Sequence, residues 1–174
     1  MTRLRTERLV LRPLVEADAE AYAAIRFHPD VEKWLTPADG DRLEAARGLI
    51  RRFAHLWRGR GCAPWGIFLD DRLIGHGGLN FLAALGATEV LWALHPDFQG
   101  RGYATETARA ALAFGFDTLD LDLIFAVTRP DNRPSQAVMR RLGLGYRKRV
   151  VYKGIDAVWF DLARKDFQRR AMDG

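Results

Sequence analysis

The stretch DFQGRGYATE, Asp97 to Glu106, sets Gly100 and Gly102 around Arg101, and a helical pattern begins directly behind them at Tyr103. A helix start carries unpaired backbone N–H groups and a partial positive charge. Glycine lets a backbone approach an anion closely and permits positive φ. Arg101 adds a mobile cation with a fork of donors. The chemistry on offer is phosphate or pyrophosphate binding. The same residues also suit a tight strand-to-helix connection, and the local stretch fits both readings.

Two familiar phosphate motifs can be tested against it. A P-loop needs a lysine followed by serine or threonine after its last glycine, and none is present. A dinucleotide fingerprint needs glycine or alanine at its sixth position, where Thr105 stands. Asp120 and Asp122 are spaced like a ribose-binding acid, but they precede the next strand instead of ending it. A second polar cluster, DNRPSQAVMRRLG, holds Asn132 and Ser135 around Pro134, types that cap a helix start well. Neither a Cys–His nor a Ser–His–Asp arrangement is evident, and no Cys/His set has zinc spacing, so no metal is expected. His28, His76 and His95 lack partners at useful spacing and read as structural. The single cysteine, Cys62, reads as a small buried residue.

The elements that must position these residues follow from periodicity. Arg8 to Leu14 alternates as a strand, and Val15 to Phe27 has helical spacing, broken by the run His28-Pro29-Asp30. Leu43, Ala46, Ile50, Phe53 and Trp57 define a second helix from about Asp41, with Asp41 and Glu44 as a capping-box-like start. WGIFLD and LIGHGGLNFL form a hairpin around Asp70-Asp71, and ATEVLWALHP is a third strand stopped by Pro96. A helix over 103–118 turns Ala104, Ala108, Ala111, Leu112 and Gly115 inward. LDLIFAVT reads as a buried central strand. A short helix follows, with Val138, Met139 and Leu142 inward and Gly143 as its stop. Two strands around Lys153-Gly154 close the pattern, and KDFQRRAMDG is a charged tail without a legible signal. The order is β-α-α-β-β-β-α-β-α-β-β, an α/β (α+β) mixed sheet with helices on both faces.

Length and charge set outer limits. The 174 residues suit one undivided domain, 1–174. Lys and Arg number 27 against 22 Asp and Glu, a net +5 that favours anionic partners in general. No dense basic stripe interleaved with aromatics argues for nucleic acid. The charged N-terminus lacks the apolar core of a signal peptide, and no run approaches the ~18 apolar residues of a membrane helix. A cytoplasmic protein with no membrane partner is expected.

EVLWALHPDFQGRGYATE resembles the acetyl-CoA-binding motif of the GNAT N-acetyltransferase family: a strand, then Q/R-x-x-G-x-G/A as Gln99, Gly102 and Ala104, then a helix. DNRPSQAVMRRLGL is similar to that family's later segment, with Asn132, Ser135, Met139, Leu142 and Gly143 in register. Together with the element order, the resemblance covers nearly the whole chain and implies a GNAT-like fold. Serine at Ser135 and methionine at Met139, where many members carry a tyrosine acid, resemble the RimJ/RimL-like branch. Leu144 departs from the usual aromatic, a mild packing change, and the closing hairpin looks short for acceptor recognition.

The resemblance implies acetyl-CoA as co-substrate and direct transfer to a primary amine in a ternary complex. Backbone at Trp92, Ala93 and Leu94 would hold pantetheine and polarise the thioester, or serve as plain core strand. Gln99, Gly100, Arg101, Gly102, Tyr103, Ala104 and Thr105 would hold the pyrophosphate. Asn132 would bind or orient the pantetheine arm, and Ser135 would serve the departing thiolate. Glu89 resembles the family's base, its alternative being a surface carboxylate at a strand end. The acceptor, a small-molecule amine or a protein N-terminus, would lie between the first two helices and the last hairpin, with Phe27, His28 and Trp34 as lining or as plain core and Arg58 and Arg60 following the second helix. Dimers are common among similar proteins, so a homodimer is one expected assembly. The alternative function is a non-catalytic acyl-CoA sensor on the same fold.

Overall fold

LDLIFAVT does become a central strand. In the computed structural model, which describes residues 2–38 and 40–172, β6 (Leu123–Thr128) runs beside β5 (Ala87–Leu94) in the one parallel pairing among the described strands. A parallel pair needs a crossover, supplied by α4 (Tyr103–Ala113). The neighbours of this pair are antiparallel: β3 (Pro64–Leu69) and β4 (Arg72–Leu82) on one side, β8 (Ile155–Ala163) and β7 (Gly145–Tyr152) on the other. Two short strands, β1 (Leu4–Arg5) and β2 (Val10–Arg12), extend the sheet to the order β1-β2-β3-β4-β5-β6-β8-β7.

Successive residues of a strand face opposite sides, and β4 shows what covers each. His76 packs on Tyr22 of α1 (Ala19–Arg26) and Phe53 of α3 (Arg42–Arg60). At the next residue, Gly77, an added Cβ would lie 3.0 Å from Thr107 of α4. Helices therefore cover both faces, as expected. The core fills the layers between them, with Tyr22, Trp65, Phe116, Phe125 and Phe160 fully buried. Cys62 and Leu144 are buried too.

The two hairpin turns obey elementary chemistry. Asp70 and Asp71 have φ of 47° and 64°, and Lys153 and Gly154 have φ of 50° and 75°. Paired positive φ values are what a two-residue turn of matching twist requires. The closing hairpin is longer than its sequence suggests, with strands of eight and nine residues. Its length carries Tyr152 and Lys153 back over the sheet.

Local side-chain bonding moved several boundaries. Asp18 accepts from the Val15 N–H and from Nη1 and Nη2 of Arg12, which tightens 16–18 into a 3₁₀ turn and delays α1. The His28-Pro29-Asp30 run, read as a break, opens α2 (Pro29–Glu32), because His28 Nδ1 accepts the Asp30 N–H and Pro29 suits a first helical position. Helix 103–118 changes to π form at Phe114–Thr118. The charged tail forms α6 (Arg164–Met172), anchored by Phe167 against Phe116 at 4.9 Å between ring centroids. The expected tail continues to 174, outside the described residues.

One glycine positions the later site directly. Gly75 lies opposite Leu94, and a Cβ there would sit 2.3 Å from the Ala93 carbonyl oxygen and 3.0 Å from Leu94 Cα. Backbone cannot swing aside as a side chain can. Gly75→Ala should therefore cost about 1–3 kcal/mol through overpacking. In thermal unfolding that is a fall of about 2–4 °C per kcal/mol at this chain length. An unchanged melting temperature would show that β5 has slack at Leu94.

Candidate active site

The site begins where β5 and β6 part. They pair only at Thr88–Ile124 and Glu89–Phe125. Past Glu89 the β6 side of β5 is open. The His95 N–H donates to Ile74 of β4 at 2.9 Å. Strand alternation then turns the N–H and carbonyl groups of Leu94 and Trp92 away from β4, into the gap. The Leu94 carbonyl accordingly accepts from Gln99 Nε2 at 2.9 Å. Gln99 thus ties the turn back to the strand end.

The glycine turn follows. Gly100 and Gly102 have φ of 74° and 84°, a region that disfavours side chains, and Gly102 is the cap residue of α4. Arg8 braces the turn: Nη1 donates to the Arg101 carbonyl at 3.0 Å, Nε donates to Glu106 at 2.7 Å, and the guanidinium lies over the Tyr103 ring.

A groove of about 370 Å³ runs along these elements. Trp92, Ala93 and Leu94 line it from the strand, and Gln99, Gly100 and Gly102 from the turn. Tyr103, Ala104 and Thr105 follow from the helix, with Asn132 and Ser135 on the opposite wall. Arg101, grouped with them from sequence, is exposed beside the Phe98 ring and lines neither this groove nor the neighbouring cavity. The opposite wall is α5 (Arg133–Leu142), capped by Asn132, whose Oδ1 accepts the Ser135 N–H at 3.2 Å. Capping, an alternative for both residues, is thus real for Asn132, while Ser135 lies inside the first turn. Pro134, Ala137, Val138 and Arg141 share the groove-facing stripe. Val138 is therefore groove wall, while Met139 and Leu142 are buried. Arg141 was missed. Its Nη1 donates to Thr105 Oγ1 at 3.2 Å, joining the two helical walls. Its spacing of seven from Pro134 was the available signal.

A second cavity of about 690 Å³ meets the groove at Trp34, Leu35, Trp92, Asn132 and Ser135. Glu89 lines it and is 7% exposed, so it is no surface carboxylate. Tyr152 Oη donates to its Oε2 at 3.3 Å and Asn80 Nδ2 at 3.5 Å, while Oε1 has no partner among the described residues. Burial pushes the Glu89 carboxyl above its ordinary range, against the opposing pull of Lys153 and the two hydrogen bonds. Burial and the Glu89 charge push the Tyr152 phenol upward in turn.

Of the acceptor residues expected from sequence, Trp34 alone lines this cavity. Phe27 is core, and His28 caps α2 with its ring 5.3 Å from that of His95. Arg60 lies over Phe81, and Arg58 is exposed elsewhere on α3. Ala45, Leu49 and Arg52 present the helix stripe that does face the cavity. His76 also reaches its wall, where burial and Arg26 lower its pKa to about 3, which keeps the ring neutral. Tyr152 and Lys153 come from the closing hairpin, the region expected beside the acceptor, whereas Asn80, Arg26 and Arg129 were not legible, because they come from three separate segments.

A splayed strand pair, a glycine-capped helix and a buried carboxylate in an adjoining cavity together match one class. Residues 8–145 match the acetyltransferase (GNAT) domain, and the chain belongs to the GNAT family of N-acetyltransferases. Among its relatives is the uncharacterised N-acetyltransferase YnaD of Bacillus subtilis, 30% identical over 165 residues, which span 91% of this chain and 92% of that one. An acetyltransferase structure from Agrobacterium tumefaciens shares 30% identity and a TM-score of 0.82, over 93% of this chain and 94% of that one. Mycobacterium smegmatis RimJ, solved in complex with CoA-disulfide, shares the fold at a TM-score of 0.79 and 22% identity, over 99% and 92% of the two chains. Structural neighbours thus include RimJ-type enzymes. No described helix is long and apolar enough to cross a membrane.

Proposed function

We propose that this chain transfers the acetyl group of acetyl-CoA to a primary amine by direct attack in a ternary complex. The observation that carries the reading is the meeting of two cavities, one along the glycine turn and one holding Glu89, at Trp92, Asn132 and Ser135. The residues fit the co-substrate. A Cβ added at Gly100 would meet nothing within 4 Å, so an anion has room against that backbone. The first N–H groups of α4 offer it donors, and Arg141 stands on the same wall.

Acetyl-CoA supplies the activated thioester; the chain supplies position and proton traffic. Backbone N–H groups at Trp92 and Leu94 face the gap, and a donor of this oxyanion type is worth about 3 kcal/mol. Glu89 takes the proton of the incoming amine. Five residues of strand separate it from Leu94, roughly 16 Å at the usual rise. That exceeds a side chain's reach, so the proton travels through water in the cavity. The Ser135 hydroxyl, at the junction, donates to the departing thiolate or holds the water that does. Cys62 is buried and lines neither cavity, which favours direct transfer over an acyl-enzyme. A non-catalytic sensor would have no use for a buried carboxylate in a second cavity.

The test is free-thiol release from acetyl-CoA across a panel of primary amines. Release should require an amine and follow its concentration to saturation. Coenzyme A binding without release on any amine would move the chain to the sensor reading.

A further inference from the structure

The larger cavity is unusually cationic for an amine site. Arg26, Arg52, Arg129 and Lys153 line it, against a single carboxylate, Glu89, among the described residues. None of the four makes an ion pair among those residues. Elsewhere in the chain arginines find acids readily, as in Arg8–Glu106, Arg12–Asp18 and Arg147–Asp161.

Arg26 is the decisive residue. It is 6% exposed, and burial lowers its pKa. Nη2 donates to the Thr36 carbonyl, but Nη1 is buried without a partner among the described residues. Arg129 Nε is likewise buried and unpartnered. A buried guanidinium with idle donors is costly unless something anionic meets it. Exposed cations such as Arg52 and Lys153 need no such explanation; two arginine donors lining one cavity without partners among the described residues do. The same lining offers apolar surface at Trp34, Leu49, Phe53, Met139 and Ile155.

Resting on the acetyltransferase reading above, we infer that the acceptor is a small amino-acid-like molecule. Its free carboxylate is met by Arg26 and Arg129, and its apolar side chain lies against Trp34 and Phe53. The amine of such a molecule sits close to its carboxylate, so the two arginines orient the nitrogen toward Glu89 and the junction. Polyamines and other multiply cationic acceptors are opposed by the same four charges.

The test compares L-phenylalanine, L-leucine and L-methionine with their carboxamides, which keep the amine and lose the carboxylate. Spermidine and a Phe-Asp-Glu peptide amide complete the panel. The free acids should exceed their amides in kcat/KM by about 10- to 100-fold, the value of charge-assisted hydrogen bonds. Arg26→Met and Arg129→Gln should each pull that acid-to-amide ratio toward one. Equal turnover of acid and amide by the parent protein, or preference for the peptide or spermidine, would overturn the inference while leaving the acetyltransferase reading intact. If no amine releases thiol, binding decides. With coenzyme A present, N-acetyl-L-phenylalanine, N-acetyl-L-leucine or N-acetyl-L-methionine should raise the melting temperature more than its amide does. Equal or absent shifts for all three pairs overturn the inference.

Discussion

Glu89→Gln lowers kcat by about 10²- to 10⁴-fold, the usual worth of a positioned general base, and leaves the fold intact. The substitution keeps shape and a hydrogen-bonding oxygen, so Asn80 and Tyr152 retain a partner. The pH profile separates this role from a structural one. Burial raises the Glu89 pKa, so the base becomes available only above the ordinary glutamate range of about 4.3. In the parent, kcat/KM should climb through that raised value and again through the ionisation of the amine, about 8 for an α-amino group. The variant should keep only the second rise. Stability runs the other way. A carboxyl with a raised folded pKa favours the folded state most below its unfolded value, and that contribution is lost as pH rises through the folded one. At about pH 8 the parent carries a buried charge that the amide lacks, so Glu89→Gln should melt no lower than the parent. Near pH 4 the two should converge. A variant with undiminished kcat, or one that loses activity only by melting, would remove Glu89 from the reaction.

Gly102→Val abolishes the rise in melting temperature that coenzyme A produces. In the parent, ligand at about 100 times its Kd adds about 2.7 kcal/mol, or roughly 5–11 °C for a chain of this length. Gly102 has φ of 84° and caps α4. A β-branched residue there is strained by about 1–3 kcal/mol. Its Cβ would also stand 3.2 Å from Arg8 Nη2, which is held by Glu106. The helix start must shift, and with it the N–H groups that face the groove. Gly86→Ala is the matched control: the same sign of φ and open space at the added Cβ, but outside the groove and the cavity. It should lose stability without losing most of the coenzyme A shift. A full shift in Gly102→Val would mean the anion is held elsewhere.

The glycine turn, the Asn132–Ser135 cluster and the element order were legible because each is local. Glycine ahead of a helix, a polar cap ahead of an apolar turn and period-two alternation all act within about ten residues of chain. The same locality explains the misses. Asp18 redirected α1 through bonds to Arg12 and Val15, His28 started a helix where a break was read, and Phe167 anchored a tail with little apolar signal. Arg101 looked like an anion ligand by adjacency, yet the turn points it outward and Arg141 takes the groove wall from another helix.

By itself, then, the sequence determined the family fold, the glycine-capped helix and the identity of the carboxylate that ends the paired part of β5. Only the tertiary structure decided that Glu89 is buried and that Gly75 brings β4 against Leu94. It alone gathered Arg26, Arg52, Arg129 and Lys153, from four separate elements and loops, into the cavity that holds that carboxylate. Backbone propensities act along the chain, whereas the electrostatics of a cavity depend on which distant side chains the sheet and its helices bring together.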